Sequence, residues 1–209
     1  MRFGYVRNYT ALTDVTGLAQ VLGADGIPNA VEDVDLFVLF GGADISPWYY
    51  GEKSKMAAAG DLPSNRDIEE AQFFSRALEN KIPILGICRG AQLACCLLGG
   101  KLWQHVNNHE SCQHDVVVNG HTWKTNSYHH QMMIPSDQMT VIGYTPCRSP
   151  YKHGEIQKKD EGDEAEIVYH PEYRVLMIQG HPEWVPVDHD LSKLTSTLVK
   201  QLLCPSSSC

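Results

Sequence analysis

Short runs of apolar residues alternate along the chain with longer stretches in which apolar positions recur every three or four residues. The first run, Met1-Arg2-Phe3-Gly4-Tyr5-Val6, predicts a strand. A second, over 35–40, is apolar from Leu36 onward and stops at Gly41-Gly42. Residues 64–80 predict a helix. Ser64 and Asp67 can cap its start, and Ile68, Ala71, Phe74 and Leu78 then follow at near-helical spacing. Residues 82–87 predict a second buried strand, which runs into Cys88-Arg89-Gly90 and a helix over 91–98 closed by Gly99-Gly100. That helix carries Ala, Leu and Cys all round and should be buried. Further strands are predicted at 116–118, 139–142 and 175–179, the last ending at Gly180-His181-Pro182-Glu183. Residues 191–203 predict a surface helix, leaving 204–209 as a flexible tail.

Alternating strands and helices favour a mainly parallel sheet covered on both faces, with sites outside the carboxyl ends of its strands. Three predicted strands end in chemically unusual residues: Gly41-Gly42, Cys88 and His181-Pro182-Glu183. If these strands are parallel neighbours, their ends meet at one rim, and the functional expectation rests on that meeting.

The Gly-Ile-Cys-Arg-Gly spacing at 86–90 is the cysteine counterpart of a nucleophile elbow, and the helix start behind it favours thiolate. The N–H of Arg89 and the Gly41-Gly42 turn could supply donors to a developing oxyanion. Among ten histidines, His181 is best placed to act as base, with Glu183 near enough to fix its tautomer. Each signal has a plain structural alternative: a buried cysteine beside a turn, a strand-ending glycine pair, a turn histidine.

Composition narrows the field. The chain has 209 residues, enough for one domain over 1–203 with a core of its own. A net charge of −8 argues against a nucleic-acid groove. No run of eighteen apolar residues predicts a membrane span, and the first residues lack a signal peptide's pattern, so a cytoplasmic location is expected. Seven cysteines, an odd number, read as free thiols.

With these residues in place, the chain resembles class I glutamine amidotransferases, most closely their free-standing γ-glutamyl-γ-aminobutyrate hydrolase branch (peptidase C26-like). The matching segments are FGGADISPWYYGE (40–52), NRDIEEA (65–71), PILGICRGAQL (83–93), GGKLWQ (99–104), NSYHHQ (126–131) and IQGHPE (178–183). The resemblance implies a flavodoxin-like three-layer α/β sandwich and hydrolysis of a γ-glutamyl amide through a thioester. It implies Cys88 as nucleophile, His181 as general acid/base and Glu183 as its partner. Gly42 and Arg89 would form the oxyanion hole, and Gly41, Gln92, Ser127, Tyr128 and His129 would bind substrate. Phe40 stands where the family usually has proline, and Gly180 where it often has an aromatic residue.

The resemblance implies no cofactor. The partner expected is a small γ-glutamyl substrate; a separate synthetase or amidoligase receiving ammonia is the alternative, and self-association is compatible with both. A silent binding module is the alternative of another class. His105, His109, Cys112 and His114 fall at metal-ligand spacing, but they lie in a loop where the family often carries histidines without metal, so no metal is expected. Between Cys147 and Ile167 the polar stretch reads as a solvated loop. Cys95 and Cys96 read as core packing, and Arg66 and Asp67 as a helix start, with Arg66 within possible reach of an anionic substrate.

Overall fold

The computed structural model describes residues 1–146, 150–153, 156–159 and 163–204. The strands are β1 (Arg2–Tyr5), β2 (Asp25–Pro28), β3 (Leu36–Leu39), β4 (Ile84–Ile87), β5 (Lys101–Trp103), β6 (Cys112–Val118), β7 (His121–Ser127), β8 (Met132–Ile134), β9 (Thr140–Thr145), β10 (Pro150–His153), β11 (Ile156–Lys159), β12 (Glu164–His170) and β13 (Val175–Ile178). The helices are α1 (Leu12–Leu22), α2 (Asn65–Glu79), α3 (Arg89–Leu97) and α4 (Asp190–Leu198). Nine strands form one sheet in the order β2-β1-β3-β4-β13-β12-β9-β6-β7. The first five run parallel, and β12, β9, β6 and β7 continue the sheet antiparallel.

β3, β4 and β13 are parallel neighbours, with Val38 beside Leu85 and Leu176 beside Leu85. All their residues are buried, as a strand covered on both faces requires. On one face Val15, Leu18, Leu191, Leu194 and Leu198 of α1 and α4 pack over Leu36, Val38, Leu85 and Leu176. On the other, Phe74, Ala77, Ala91 and Ala94 of α2 and α3 pack over Phe37, Leu39, Ile84 and Met177. The result is three layers. Each large side chain fully buried in this way stabilises the fold by roughly 1.5–3 kcal/mol before its ordering entropy is counted.

Helix α2 begins as its sequence dictates. Ser64 Oγ accepts from the Asp67 amide, and the Asp67 carboxylate accepts from the Ser64 amide. α3 starts two residues earlier than its apolar pattern suggests, at Arg89, so Cys88 is its N-cap. The segment 191–203 forms α4 and then one wider π turn, Val199–Leu203. Leu191, Leu194, Leu198, Val199 and Leu203 are all buried, so it is an amphipathic covering helix. No described helix is long and apolar enough to cross a membrane.

One expectation is corrected. The polar stretch between 147 and 167 is not wholly loop: β10 pairs with β11, and Glu164 and Glu166 are buried in β12. Its residues 147–149, 154–155 and 160–162, and the tail beyond Cys204, lie outside the described residues. Phe40 is buried and packs its ring against Phe3 and Tyr5, a place the small ring of proline would not fill.

Candidate active site

Cys88 follows β4 directly and has φ 49° and ψ −110°, a conformation that residues bearing a Cβ rarely adopt. The flanking glycines are explained by contact. A Cβ on Gly86 would lie 2.7 Å from the Ala91 Cα, and one on Gly90 2.1 Å from the Leu39 carbonyl oxygen. Strand, turn and helix are therefore pressed together, and the thiol is held at the start of α3, where unpaired backbone amides gather.

Across from it, at the end of β13, the His181 Nδ1 lies 2.7 Å from Glu183 Oε1, which accepts its proton. The ring also hydrogen-bonds the Cys88 thiol. Burial alone would depress the imidazole pKa, but the bonds to Cys88 and Glu183 outweigh it and raise the value to about 10. Burial pushes the Glu183 carboxyl up. The histidine backbone is clamped from β7: its N–H donates to Asn126 Oδ1 at 2.7 Å, and Asn126 Nδ2 donates to its carbonyl at 2.9 Å. Trp184 stacks on the ring at 3.6 Å between centroids, with 5° between planes, while its indole N–H donates to Asp14. Gly17 of α1 sits so near that a Cβ would fall 2.1 Å from the Glu183 carbonyl oxygen.

The Gly41-Gly42 turn closes the third side. A Cβ on Gly41 would stand 2.6 Å from His181 Cε1, and Gly42 has φ 147°, a region open only to glycine. Arg66 Nη2 donates to the Gly41 carbonyl at 2.8 Å. Because every peptide described is trans, the N–H of Gly42 points the opposite way from that carbonyl, away from Arg66. Arg66 Nε also pairs with Glu70 Oε1 at 2.9 Å, and Glu70 and Asp67 together hold the buried guanidinium of Arg89. Two cations and two carboxylates thus join the glycine turn, the start of α2 and the residue after Cys88. Arg66 is held in this network through Nε and Nη2.

The family model for peptidase C26 matches residues 3–183. The chain belongs to the peptidase C26 family. Among curated relatives, this C26 chain is 33% identical over 172 residues to the glutamine amidotransferase-like protein YvdE of Lactococcus lactis subsp. lactis, covering 76% of the chain and 70% of that protein. It is 31% identical over 135 residues to the carbamoyl phosphate synthase small chain of Streptococcus mutans serotype c, covering 63% of the chain and 34% of that protein. It spans 62% of protein NtpR of Enterococcus hirae, at 32% identity over 149 residues, 59% of the chain. Two solved structures share the fold. The glutaminase domain of Trypanosoma brucei CTPS has a TM-score of 0.57 at 12% identity, covering 95% of this chain and 92% of that one. PurLQS from Thermotoga maritima has 0.60 at 16%, covering 94% and 97%. The flavodoxin-like, class I glutamine amidotransferase-like architecture is thereby established.

The residues expected to bind substrate divide in this C26 chain. Gly41 adjoins His181 and Cys88. Gln92 is buried on α3, its Nε2 donating to the Gln131 carbonyl at 3.2 Å. Tyr128 is 50% exposed, with its ring edge-on to both His181 and Trp184. Ser127 and His129 turn the other way, as alternate residues of an extended segment must. Ser127 Oγ donates to the His109 carbonyl at 2.7 Å, and His129 is buried among His109, His114 and Glu166. Their side chains therefore belong to a buried cluster, and Tyr128 alone of the three reaches the rim.

Asn126, Glu70, Trp184 and Gly17 escaped the sequence reading as site residues. Asn126 opens the Asn-Ser-Tyr-His-His-Gln segment and Trp184 follows His-Pro-Glu, so their positions carried a signal. The contacts of Glu70 and Gly17 are long-range and left no local mark. At Gly180, a Cβ would fall 2.4 Å from Thr125 Oγ1, which explains the missing aromatic.

Proposed function

We propose that this chain is a cysteine amidohydrolase that cleaves a γ-glutamyl amide. The observation that carries the reading is the meeting, at adjacent strand ends, of a strained Cys88 with a histidine bonded to both the thiol and a buried carboxylate. Glutamine-type substrates are favoured by the amidotransferase-like relatives. With its proton on His181, the Cys88 sulfur attacks the γ-carboxamide carbon, and the amides of Gly42 and Arg89 stabilise the oxygen as it gains charge. The C–N bond then breaks as His181 passes its proton to the leaving nitrogen, giving an amine and a γ-glutamyl thioester. Water next attacks the thioester and gives a proton to His181, and glutamate departs. Tyr128 and Trp184, both about half exposed, would border the incoming substrate.

A second reading, an ammonia-supplying subunit for a separate synthetase, is favoured by similarity to a carbamoyl phosphate synthase small chain. One experiment separates the two. The purified chain is incubated with glutamine and with γ-glutamyl amines, and released amine and glutamate are followed. Turnover of an amine conjugate, lost in Cys88→Ala, supports the free-standing hydrolase. Alkylation of Cys88 by a glutamine-like electrophile without turnover supports the subunit. A Cys88 inert to both substrate and electrophile would sink both.

A further inference from the structure

Beneath the candidate active site lies a second cluster that the chemistry above does not use. His109, His114, His129 and Glu166 are all buried, and one ligand atom from each lies within 4.8 Å of the others. From Glu166 Oε1, His114 Nε2 is 3.3 Å away, His109 Nδ1 3.4 Å and His129 Nε2 3.9 Å. The edge of a tetrahedron around a zinc ion with ligands at about 2.0–2.1 Å is about 3.3–3.4 Å. The cluster is near that size already, and an inward shift of under about 1 Å by each ring would complete it.

The outer nitrogens argue more strongly. His114 Nδ1 lies 3.2 Å from the Asp115 carbonyl, and His129 Nδ1 lies 2.9 Å from the Gln131 carbonyl. A carbonyl only accepts, so a proton on each Nδ1 satisfies it and turns the Nε2 lone pair inward; at His129 this has the Gln179 amide, whose Nε2 also lies 2.9 Å from Nδ1, donating instead to the Gln131 carbonyl at 3.0 Å. His109 Nε2 lies 2.7 Å from Glu164 Oε2, which fixes its proton outward and leaves Nδ1 facing the centre. Ser127 Oγ, 3.3 Å from that Nδ1, is already donating to the His109 carbonyl. Three imidazoles oriented by outer acceptors, one of them a carboxylate, are the usual outer shell of a metal site. Meanwhile His114 Nε2, His129 Nε2 and Glu166 Oε1 are buried with only one another to meet, at 3.3 Å and 3.9 Å from the carboxylate oxygen. Such atoms are expensive to leave unmatched.

Charge points the same way. Glu164 and Glu166 are both buried. A divalent cation would neutralise the pair, whereas neutralising them with protons would crowd imidazolium ions into a few ångströms. An entry path exists: a cleft of about 280 Å³ is lined by Asn108, His109, Cys112 and His114.

We propose that His109 Nδ1, His114 Nε2, His129 Nε2 and Glu166 Oε1 form a four-coordinate structural site for a zinc-type divalent cation, with Glu164 as the outer partner of His109. All four positions are filled by protein, so the ion would be held for structure and not exposed to substrate. It would tie the loops carrying His109 and His129 to β12, beside the strand end that clamps His181. The sequence spacing pointed to the right region but only half the ligands. His105 instead contacts His130 and Asn107, and the Cys112 thiol faces the Asn108 carbonyl. His129 and Glu166 arrive from distant segments.

The test measures bound metal and does not depend on the catalytic reading. The full chain is stripped with a chelator, supplied with one equivalent of Zn²⁺ or Co²⁺, and dialysed. The expected result is one ion retained per chain, a raised Tm, and the visible spectrum of four-coordinate Co²⁺. Glu164→Gln should weaken zinc affinity 10–100-fold. His114→Gln and Glu166→Gln should abolish retention. Cys88→Ala and Cys112→Ser should retain the ion, which excludes binding at the active-site thiol or the exposed loop. Failure of the unaltered chain to hold either metal, with no change in Tm, would overturn the proposal. So would full retention in a folded His114→Gln or Glu166→Gln chain.

Discussion

His181 is bonded on both sides, and its protonation follows from that. Its value in the folded chain, about 10, lies above the ordinary 6.5. The sign is that of a base stabilised in its charged form: the contribution to folding is complete below about 6.5 and is lost as pH rises through about 10. In the proposed mechanism the leaving nitrogen takes this same proton, so amine release should fall along an alkaline limb near pH 10. A kcat–pH profile checks this, and an alkaline limb near pH 8 would contradict it. At this scale the sequence was most legible for Cys88, His181 and Glu183, because each lies at a strand end beside glycine or proline. It was least legible for Ser127 and His129. Nothing local says which of two alternating faces points to the rim, and that choice is made by the His109 loop.

Elements position the site through two kinds of contact. The first is absence of a side chain. In Gly41→Ala the new methyl would meet His181 Cε1 at 2.6 Å. The ring must then move away from Cys88, and kcat/KM should drop at least 10²-fold, since misplacement by about 1 Å has that effect. The fold should be unchanged by circular dichroism; activity within twofold of the unaltered chain would show that the turn yields instead. The second contact is the buried ionic group around Glu70. Glu70→Ala leaves Arg66 and Arg89 with only Asp67 between them, and should destabilise the chain by about 3–5 kcal/mol in urea unfolding. A change below about 1 kcal/mol would show that solvent reaches the group. The start of α2 was readable from its capping residues. Its link to Arg89 was not, because periodicity reports which face is buried and not which charges meet there.

At the scale of the whole molecule, the sheet has two halves with different work. The parallel half brings three strand ends to one rim, and alternation of apolar runs with helices made that half legible. The antiparallel half supplies Asn126 to the rim and the histidine cluster beneath it, and it was read only in fragments. Its hairpin between β6 and β7 turns at Asn119 and Gly120, with φ 50° and 75°. An Asn-Gly pair of this kind is a strong hairpin signal. The mixed polarity of β7, exposed at its start and buried at its end, concealed the strand beside it. Glu164 and Glu166 defeated the reading for a related reason: a charged stretch normally predicts solvent, and only the three-dimensional meeting with His109 and His114 justifies burying it.

The torsion angles of Cys88 set the working form of the chain against its own folding equilibrium. A backbone at φ 49° and ψ −110° is uphill for a residue with a Cβ but unstrained for glycine. Elsewhere in a protein, alanine is the more stable of the two replacements. Here the order should reverse, with Cys88→Gly melting above Cys88→Ala and unfolding about 1 kcal/mol less readily. Paired denaturation curves decide it; an alanine chain at least as stable as the glycine chain would mean that the elbow is relaxed. If the reversal is found, an ancestor or variant freed from turnover would drift toward glycine at this position, and a thiol retained at 88 would itself be a mark of function.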